Sequence, residues 1–518
     1  MKNFFKKNLL IIAIYFFIFL LLIYTGRNLR LYIDDNVMIF PVVLKSIFSH
    51  FIQFNYDQGF SRPFALISYY FIYSIFTFSP FIAHSILILL HTINAGLLFR
   101  ILKKFNTHSK LSLLISLVFL SFPFATELFY FLANIHGIIV IFLFLIQIEI
   151  LNSSLGLNKK IVLIFLLTLI SVFTYELTFF LWIPLTYALF NQSKNKKSSF
   201  LYLSLFILPN FLYLLFSKII FPPHILNPRS ASINLFTLKN NFVNLLENIK
   251  YLFFNKDSWL NFWQQNFKDG LVISNNTLLL KIILIIFICL LCNYLVRKNH
   301  RIISYINEKN SVIFWGLLFL FSLLPLLFVE GFNFPFRALF MPSILFFIFI
   351  IMILNLFVPK LQNNQPFLFL MMAIVCFFVI IDVGIADKYN KQITFDESLT
   401  KSIKQTIRSV GFSDQYPTYL IINNLPHSIV YKKFLQGDHI LSCYNYYWCA
   451  QASLNMITGV VKDIGIKFVD ESFSSKTELP YREFINKRPL TIMSFTDNQS
   501  CLTGECLKVD RNIFIRVG

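Results

Sequence analysis

The stretch NLLIIAIYFFIFLLLIYT, residues 8–25, contains no charged side chain and no glycine or proline. A helix needs about 20 mostly apolar residues to cross roughly 30 Å of hydrocarbon, so this run reads as a first membrane span. A basic start, Lys2, Lys6 and Lys7, precedes it. Such a start also suits a secretory signal, but no small-residue cleavage site follows, which favours an uncleaved span.

Runs of the same kind recur as far as Ala386, at roughly 81–102, 111–126, 136–152, 160–175, 177–191, 199–219, 277–296, 312–329, 338–357 and 366–386. With the first they predict an α-helical polytopic membrane protein of about 11 transmembrane helices. Composition excludes the soluble alternative. Of the 518 residues 57% are hydrophobic and 14% charged, with 65 Phe, too little polar surface to cover a water-soluble chain of this size. The net charge of +20 does not point to nucleic acid, because the basic residues fall in short clusters between apolar spans.

Those clusters set the expected topology. Lys2 to Lys7 place the N-terminus in the cytoplasm, and the loop 27–80 then lies outside. Phe64 to Phe78 is short, rich in Tyr and Ser and closed by Ser79-Pro80, so it reads as a helix in the outer interface. With that choice Arg100 to Lys104, Lys110, Lys159-Lys160, Lys194 to Lys197, Arg297 to Arg301 and Lys360 all fall on the inner side. The interval Ile220 to Asn276 is then external, with amphipathic interfacial helices and Trp259 to Trp263 as an aromatic belt.

From Asp387 the composition changes, so residues 1–386 form the membrane domain and 387–518 a small extracytoplasmic C-terminal domain. Thr418 to Ile422 and Ser428 to Tyr431 read as strands and Ser398 to Ser409 as a helix, a mixed α/β domain. Four of the seven cysteines, Cys443, Cys449, Cys501 and Cys506, lie there, an even number suited to an oxidising compartment. Their spacing lacks the histidines of a zinc site. Pairing within each close couple is the simplest arrangement. Tyr444, Tyr446, Tyr447 and Trp448 suit either sugar stacking or a packed core.

Within the membrane domain the charged and polar exceptions fall in order. Tyr32, Asp34 and Asp35 follow the first span, then Arg62-Pro63. Adjacent acids often only mark where a chain leaves the membrane. His84, His91 and Asn94 lie in the second span, and seven residues is close to two helical turns, so both imidazoles share a face. Phe122-Pro123 and Glu127 close the third span, Tyr175-Glu176 the fifth, and Arg337 stands between Glu330 and Pro342.

This order resembles the GT-C glycosyltransferases, and within them the branch of protein O-mannosyltransferases and their relatives with tetratricopeptide tails. In that family a Tyr-x-Asp-Asp motif in the first external loop precedes an Arg-Pro, a His pair and Asn follow in the second span, then a Pro-x-x-x-Glu and a late outer Arg. The resemblance covers about residues 27–345. This chain departs from it in having Tyr175 where relatives carry Lys, and a small C-terminal domain in place of the repeats.

The resemblance implies a membrane glycosyltransferase. It would move a sugar from a polyprenyl-phosphate donor to a hydroxyl of a cell-envelope acceptor, a glycolipid such as O-antigen or a protein, on the outer face of a bacterial inner membrane. Asp34 would be the general base and Asp35 its orienting partner; two adjacent acids repel when both are ionised, which favours proton uptake by one. Arg62 and Arg337 would clamp the leaving phosphate. His84, His91, Glu127 and Glu176 would line the donor site, though buried histidines can equally hydrogen-bond within the bundle. The chemistry requires no metal or other cofactor; a divalent ion on the Asp pair is an alternative that chelation decides. From another class, a transporter or flippase of a lipid-linked saccharide would place its charges nearer mid-membrane.

Overall fold

The computed structural model describes residues 2–27, 64–65, 68, 79–105, 107–130, 134–175, 178–192, 198–219, 238–256, 259–296, 308–327, 336–358, 364–410, 419–423, 465–469, 490–494 and 508–510. Among the described residues one compact unit extends to Asp387 and a second begins at Lys388.

The first unit is helical: α1 (Lys2–Thr25), α2 (Pro80–Lys104), α3 (Ser109–Ser121), α4 (Thr126–Tyr130), α5 (Ile135–Leu151), α6 (Leu157–Thr174), α7 (Trp182–Gln192), α8 (Ser198–Ile219), α9 (Leu238–Phe254), α10 (Gln265–Asn276), α11 (Leu278–Val296), α12 (Glu308–Leu327), α13 (Phe336–Phe357) and the start of α14 (Gln365–Val410). Leu9, Phe16, Leu278 and Leu279 are exposed, each more than half, as side chains are where lipid replaces water. The chain is a multi-pass membrane protein.

All eleven expected spans form helices, but fewer qualify as crossings. Seven described helices are long and apolar enough to traverse a bilayer, or eight if the bent pair Ser109–Ser121 and Pro123–Tyr130 counts as one. For α5 and α7 the shortfall is a matter of length. At 1.5 Å per residue, α7 with its 11 residues reaches only about 16 Å. The 17-residue α5 reaches about 26 Å. The last span also differs. Its helix does not stop at Ala386 but runs unbroken for 46 residues, absorbing the separate helix expected at Ser398 to Ser409.

The basic loops do meet. Glu149 on α5 takes Arg100 at 2.7 Å and Lys104 at 2.6 Å, both from the end of α2. Lys110 Nζ donates to the carbonyl of Leu295, and Lys160 Nζ donates to that of Leu151 at 2.8 Å and to Gln192 Oε1 at 3.0 Å. Arg100, Lys104, Lys110 and Lys160 therefore share one end of the bundle. Thr25, His84, Glu127 and Arg337 sit at the opposite ends of their helices.

In the interval expected to be external, α9 is amphipathic, burying Asn241 and Leu245 while exposing Phe242, Val243, Leu246 and Phe254. The aromatic belt expected at Trp259 to Trp263 is only part of what forms. Trp259 is exposed, but Phe262 and Trp263 are buried, and Trp263 packs on Phe124 and Phe378 with centroids 6.2 and 6.1 Å away. A π-helical turn over Trp259–Gln264 turns these rings inward.

Among the described residues of the second unit four strands form one sheet, in the order β2 (Gly465–Val469), β1 (Tyr419–Asn423), β3 (Leu490–Ser494), β4 (Lys508–Asp510). β1 runs parallel to both neighbours, opposite Gly465 and Leu490 at Tyr419, and β4 is antiparallel to β3. β1 covers most of the strand expected at Thr418 to Ile422. The stretch Ser428 to Tyr431, the cluster Tyr444 to Trp448, and Cys443, Cys449, Cys501 and Cys506 lie outside the described residues.

Candidate functional site

The site begins with a proline. At Phe122-Pro123 the missing proline N–H and the extended backbone forced on the preceding residue stop α3, and Phe122 adopts φ −70°, ψ 123°. A 3₁₀ turn over Pro123–Ala125 follows, the axis bends by 46°, and the short α4 leaves in a new direction. Thr126 Oγ1 donates back to the Pro123 carbonyl at 2.7 Å, and Asn134 Nδ2 donates to the Glu127 carbonyl at 3.0 Å. The bend is thus tied at both ends.

Its product is the placement of Glu127. This side chain is fully buried, and its Oε2 accepts the backbone N–H of Arg337 at 2.8 Å, with Arg337 Nη1 3.8 Å away. Arg337 stands in the first turn of α13, which has no acidic residue of its own. The four N–H groups opening a helix lack intrahelical acceptors and carry partial positive charge, so a carboxylate borrowed from α4 satisfies one of them and favours the helix start. The Arg337 side chain is 18% exposed. Two residues 210 positions apart in sequence, each singled out by the sequence pattern, are brought together.

α2 supplies the histidines. Ser79 caps it by accepting the N–H of Ile82, Pro80 opens it, and His84, His91 and Asn94 are all buried on one face. His84 Nδ1 lies 3.2 Å from the carbonyl oxygen of Phe129; a carbonyl can only accept, so Nδ1 carries the proton. His84 therefore grips α4 two residues past Glu127. His91 stacks on Phe119 at 4.9 Å and touches Phe129 and Phe340 at 5.5 and 5.8 Å, enclosed by phenylalanine rings. Asn94 Nδ2 donates to the Ile138 carbonyl at 3.1 Å and fixes α2 against α5.

Asp34, Asp35, Arg62 and Glu176 lie outside the described residues. Tyr175, beside Glu176, meets His136 edge to face at 4.4 Å. Sequence reasoning passed over three further residues at this end. Tyr130 is fully buried and closes α4; its hydroxyl lies 3.1 Å from Thr25 Oγ1, which itself donates to the Leu22 carbonyl at 2.9 Å. This pair joins the end of α1 to the turn bearing Glu127. The third is Asp382 on α14, fully buried inside an apolar span, about one turn beyond Phe378, whose ring meets that of Phe122 at 5.3 Å. A lone acid within an apolar run was the available signal. Among the described residues no group of three or more His, Cys, Asp or Glu is arranged to hold a metal ion.

The arrangement holds one anion, the Glu127 carboxylate, at a helix start beside a guanidinium, with imidazole and phenol behind it. No family model and no curated protein matches the chain. Two solved structures do, both of ArnT from Cupriavidus metallidurans. The apo structure aligns with 93% of this chain and 92% of its own at 10% identity and a TM-score of 0.38. The structure bound to undecaprenyl phosphate aligns with 96% and 95% at 10% identity and a TM-score of 0.40. Similarity of this degree says nothing of what this chain binds.

Proposed function

We propose that the chain is a GT-C-like membrane glycosyltransferase that moves a sugar from a polyprenyl-phosphate donor to a hydroxyl of a cell-envelope acceptor on the outer face of a bacterial inner membrane. The observation that carries this is the meeting of Glu127 with Arg337, at the end of the bundle away from the basic loops. Both belong to the ordered set Asp34, Asp35, Arg62, His84, Glu127, Arg337 that the family resemblance picks out.

In the proposed reaction a carboxylate oxygen of Asp34 takes the proton of the acceptor hydroxyl, and the freed oxygen forms a bond to the anomeric carbon. The bond from that carbon to the phosphate oxygen breaks, and the lipid phosphate leaves with the electron pair. Arg337, held at the mouth of α13 by Glu127, and Arg62 neutralise the charge that develops there. A single displacement inverts the anomeric configuration. Asp35 orients Asp34, while Glu176 and His91 stand behind the donor and His84 locks α4. General-base help of this kind is worth about 100- to 10,000-fold.

The test is Asp34→Asn in the full chain. Sugar transfer in isolated membranes should be abolished while the protein remains folded and membrane-inserted, and the cell's surface glycans should lose one sugar mass by mass spectrometry. That missing mass identifies sugar and acceptor together. Full activity in the variant overturns the proposal.

A further inference from the structure

We propose that Asp382 is a sugar-binding residue of this site, its carboxyl group exchanging hydrogen bonds with ring hydroxyls of the saccharide on the lipid phosphate; this rests on the function proposed above. Asp382 is fully buried, and neither of its oxygens has a hydrogen-bond partner among the described residues. Its flanking residues Ile381 and Val383 are buried too, within the span Gln365–Thr394. A carboxylate in such a place is expensive and rare, and its retention in a span points to a ligand rather than to packing. Other acids of the bundle are provided for. Glu149 holds two cations, and Glu127 holds the N–H of Arg337.

Position ties Asp382 to the site. Phe378, about one helical turn before Asp382 on α14, packs edge to face on Phe122, the residue at which α3 bends toward Glu127, with centroids 5.3 Å apart. The acid is held firmly where it stands. A Cβ on Gly384 would lie 2.1 Å from the Asn266 carbonyl oxygen, and one on Gly270 would lie 1.9 Å from that of Ile380, so α14 and α10 touch backbone to backbone on both sides of Asp382 in sequence. Such contact leaves little room for the helix to shift.

The chemistry of the occupant follows from the donor balance. A carboxyl group accepts at its oxygens and, when it carries a proton, also donates from one of them, so its ligand must bring groups that can both donate and accept. Neighbouring hydroxyls of a sugar ring do both, at a spacing that both oxygens can take, and in a site without bulk water such bonds are strong.

The experiment uses the full chain in nanodiscs and measures affinity for undecaprenyl phosphate and for undecaprenyl phosphate carrying glucose, galactose, mannose, arabinose or N-acetylglucosamine. Wild type should bind at least one glycosylated lipid more tightly than the bare phosphate. Asp382→Asn should lose about tenfold of that affinity or more and stay within about twofold for the bare lipid. Asp382→Leu, which removes the buried acid, should show the same selective loss while melting no lower than wild type. Unchanged sugar-dependent affinity in both variants overturns the role of Asp382 and leaves the enzyme reading standing, as does equal loss of both lipids. Wild type that binds bare lipid with no gain from any sugar also overturns it. Wild type that binds no lipid at all overturns the proposed function and the role of Asp382 with it.

Discussion

The two ends of the membrane bundle use the same electrostatic device with opposite sign and for different purposes. At the basic end Lys160 reaches the last carbonyl of α5 and Lys110 the carbonyl of Leu295, one residue from the end of α11, so cations close helix C-termini. At the other end a carboxylate, Glu127, opens the N-terminus of α13. The difference lies in what is left over. Lys160 has two partners at the basic end and Glu149 has two cations there, whereas Asp382 is buried without a partner among the described residues. One end pairs its charges; the other keeps a buried acid unpaired, at the cost in stability expected where a ligand is proposed to bind.

The strongest way to break that contrast is to remove one acid from each end. Glu127→Ala deprives the Arg337 N–H of its acceptor and removes the carboxylate 3.8 Å from the guanidinium, which should cost about 3 kcal/mol of stability. Sugar transfer should fall at least about 100-fold, because the phosphate clamp loses its position. Glu149→Ala should cost no more than about 1 kcal/mol, since 61% of the Arg100 side chain and 32% of that of Lys104 are exposed, and should leave transfer unchanged. Melting temperature and transfer in membranes measure both. Equal losses from the two variants would mean that the ends do not differ in purpose.

Gly384→Ala probes the same end through its packing. The added methyl would overlap the Asn266 carbonyl oxygen, a backbone atom that cannot rotate aside, so α10 and α14 must separate. A cost of about 3 kcal/mol is expected. Gly96 has open space where its Cβ would go, so Gly96→Ala should be neutral or slightly stabilising through helix propensity. Thermal unfolding of the two variants side by side checks this.

How much of this was legible in the sequence depends on what averages out. Basic clusters mark span ends whatever the packing, which is why Lys110 and Lys160 were assigned to one side and share one end in the fold. Glu127 and Arg337 were legible only through the order of motifs, because nothing local to either announces a partner 210 residues away. Helix length was misjudged where turns intrude: the apolar run 177–191 yields a helix only from Trp182, after a turn at Thr178 to Leu181. Phe262 and Trp263 were taken for a belt because aromatic content carries no sign of burial. Asp382 escaped because a single acid barely alters the apolar character of the run 366–386. Asp34, Asp35, Arg62 and Glu176 rest on sequence alone.

The smallest effect returns to the basic end. His108 caps α3 there, its Nδ1 accepting the N–H of Lys110 at 3.4 Å. Burial, and then the nearby charge of Lys110, lower the tendency of this imidazole to take a proton below that of an ordinary histidine. The sign follows directly. Between the depressed folded value and the ordinary value of about 6.5, the unfolded chain binds the proton and the folded chain does not, so stability is full above that window and is lost as pH falls through it. Protonation would also remove the lone pair that caps the helix. His108→Gln should therefore flatten the decline in melting temperature between about pH 7 and pH 5 without altering sugar transfer at neutral pH. A wild-type melting temperature that does not fall over that range, or a variant that falls just as steeply, would show that the cap at the basic end does not titrate, leaving protonation effects to the other end of the bundle.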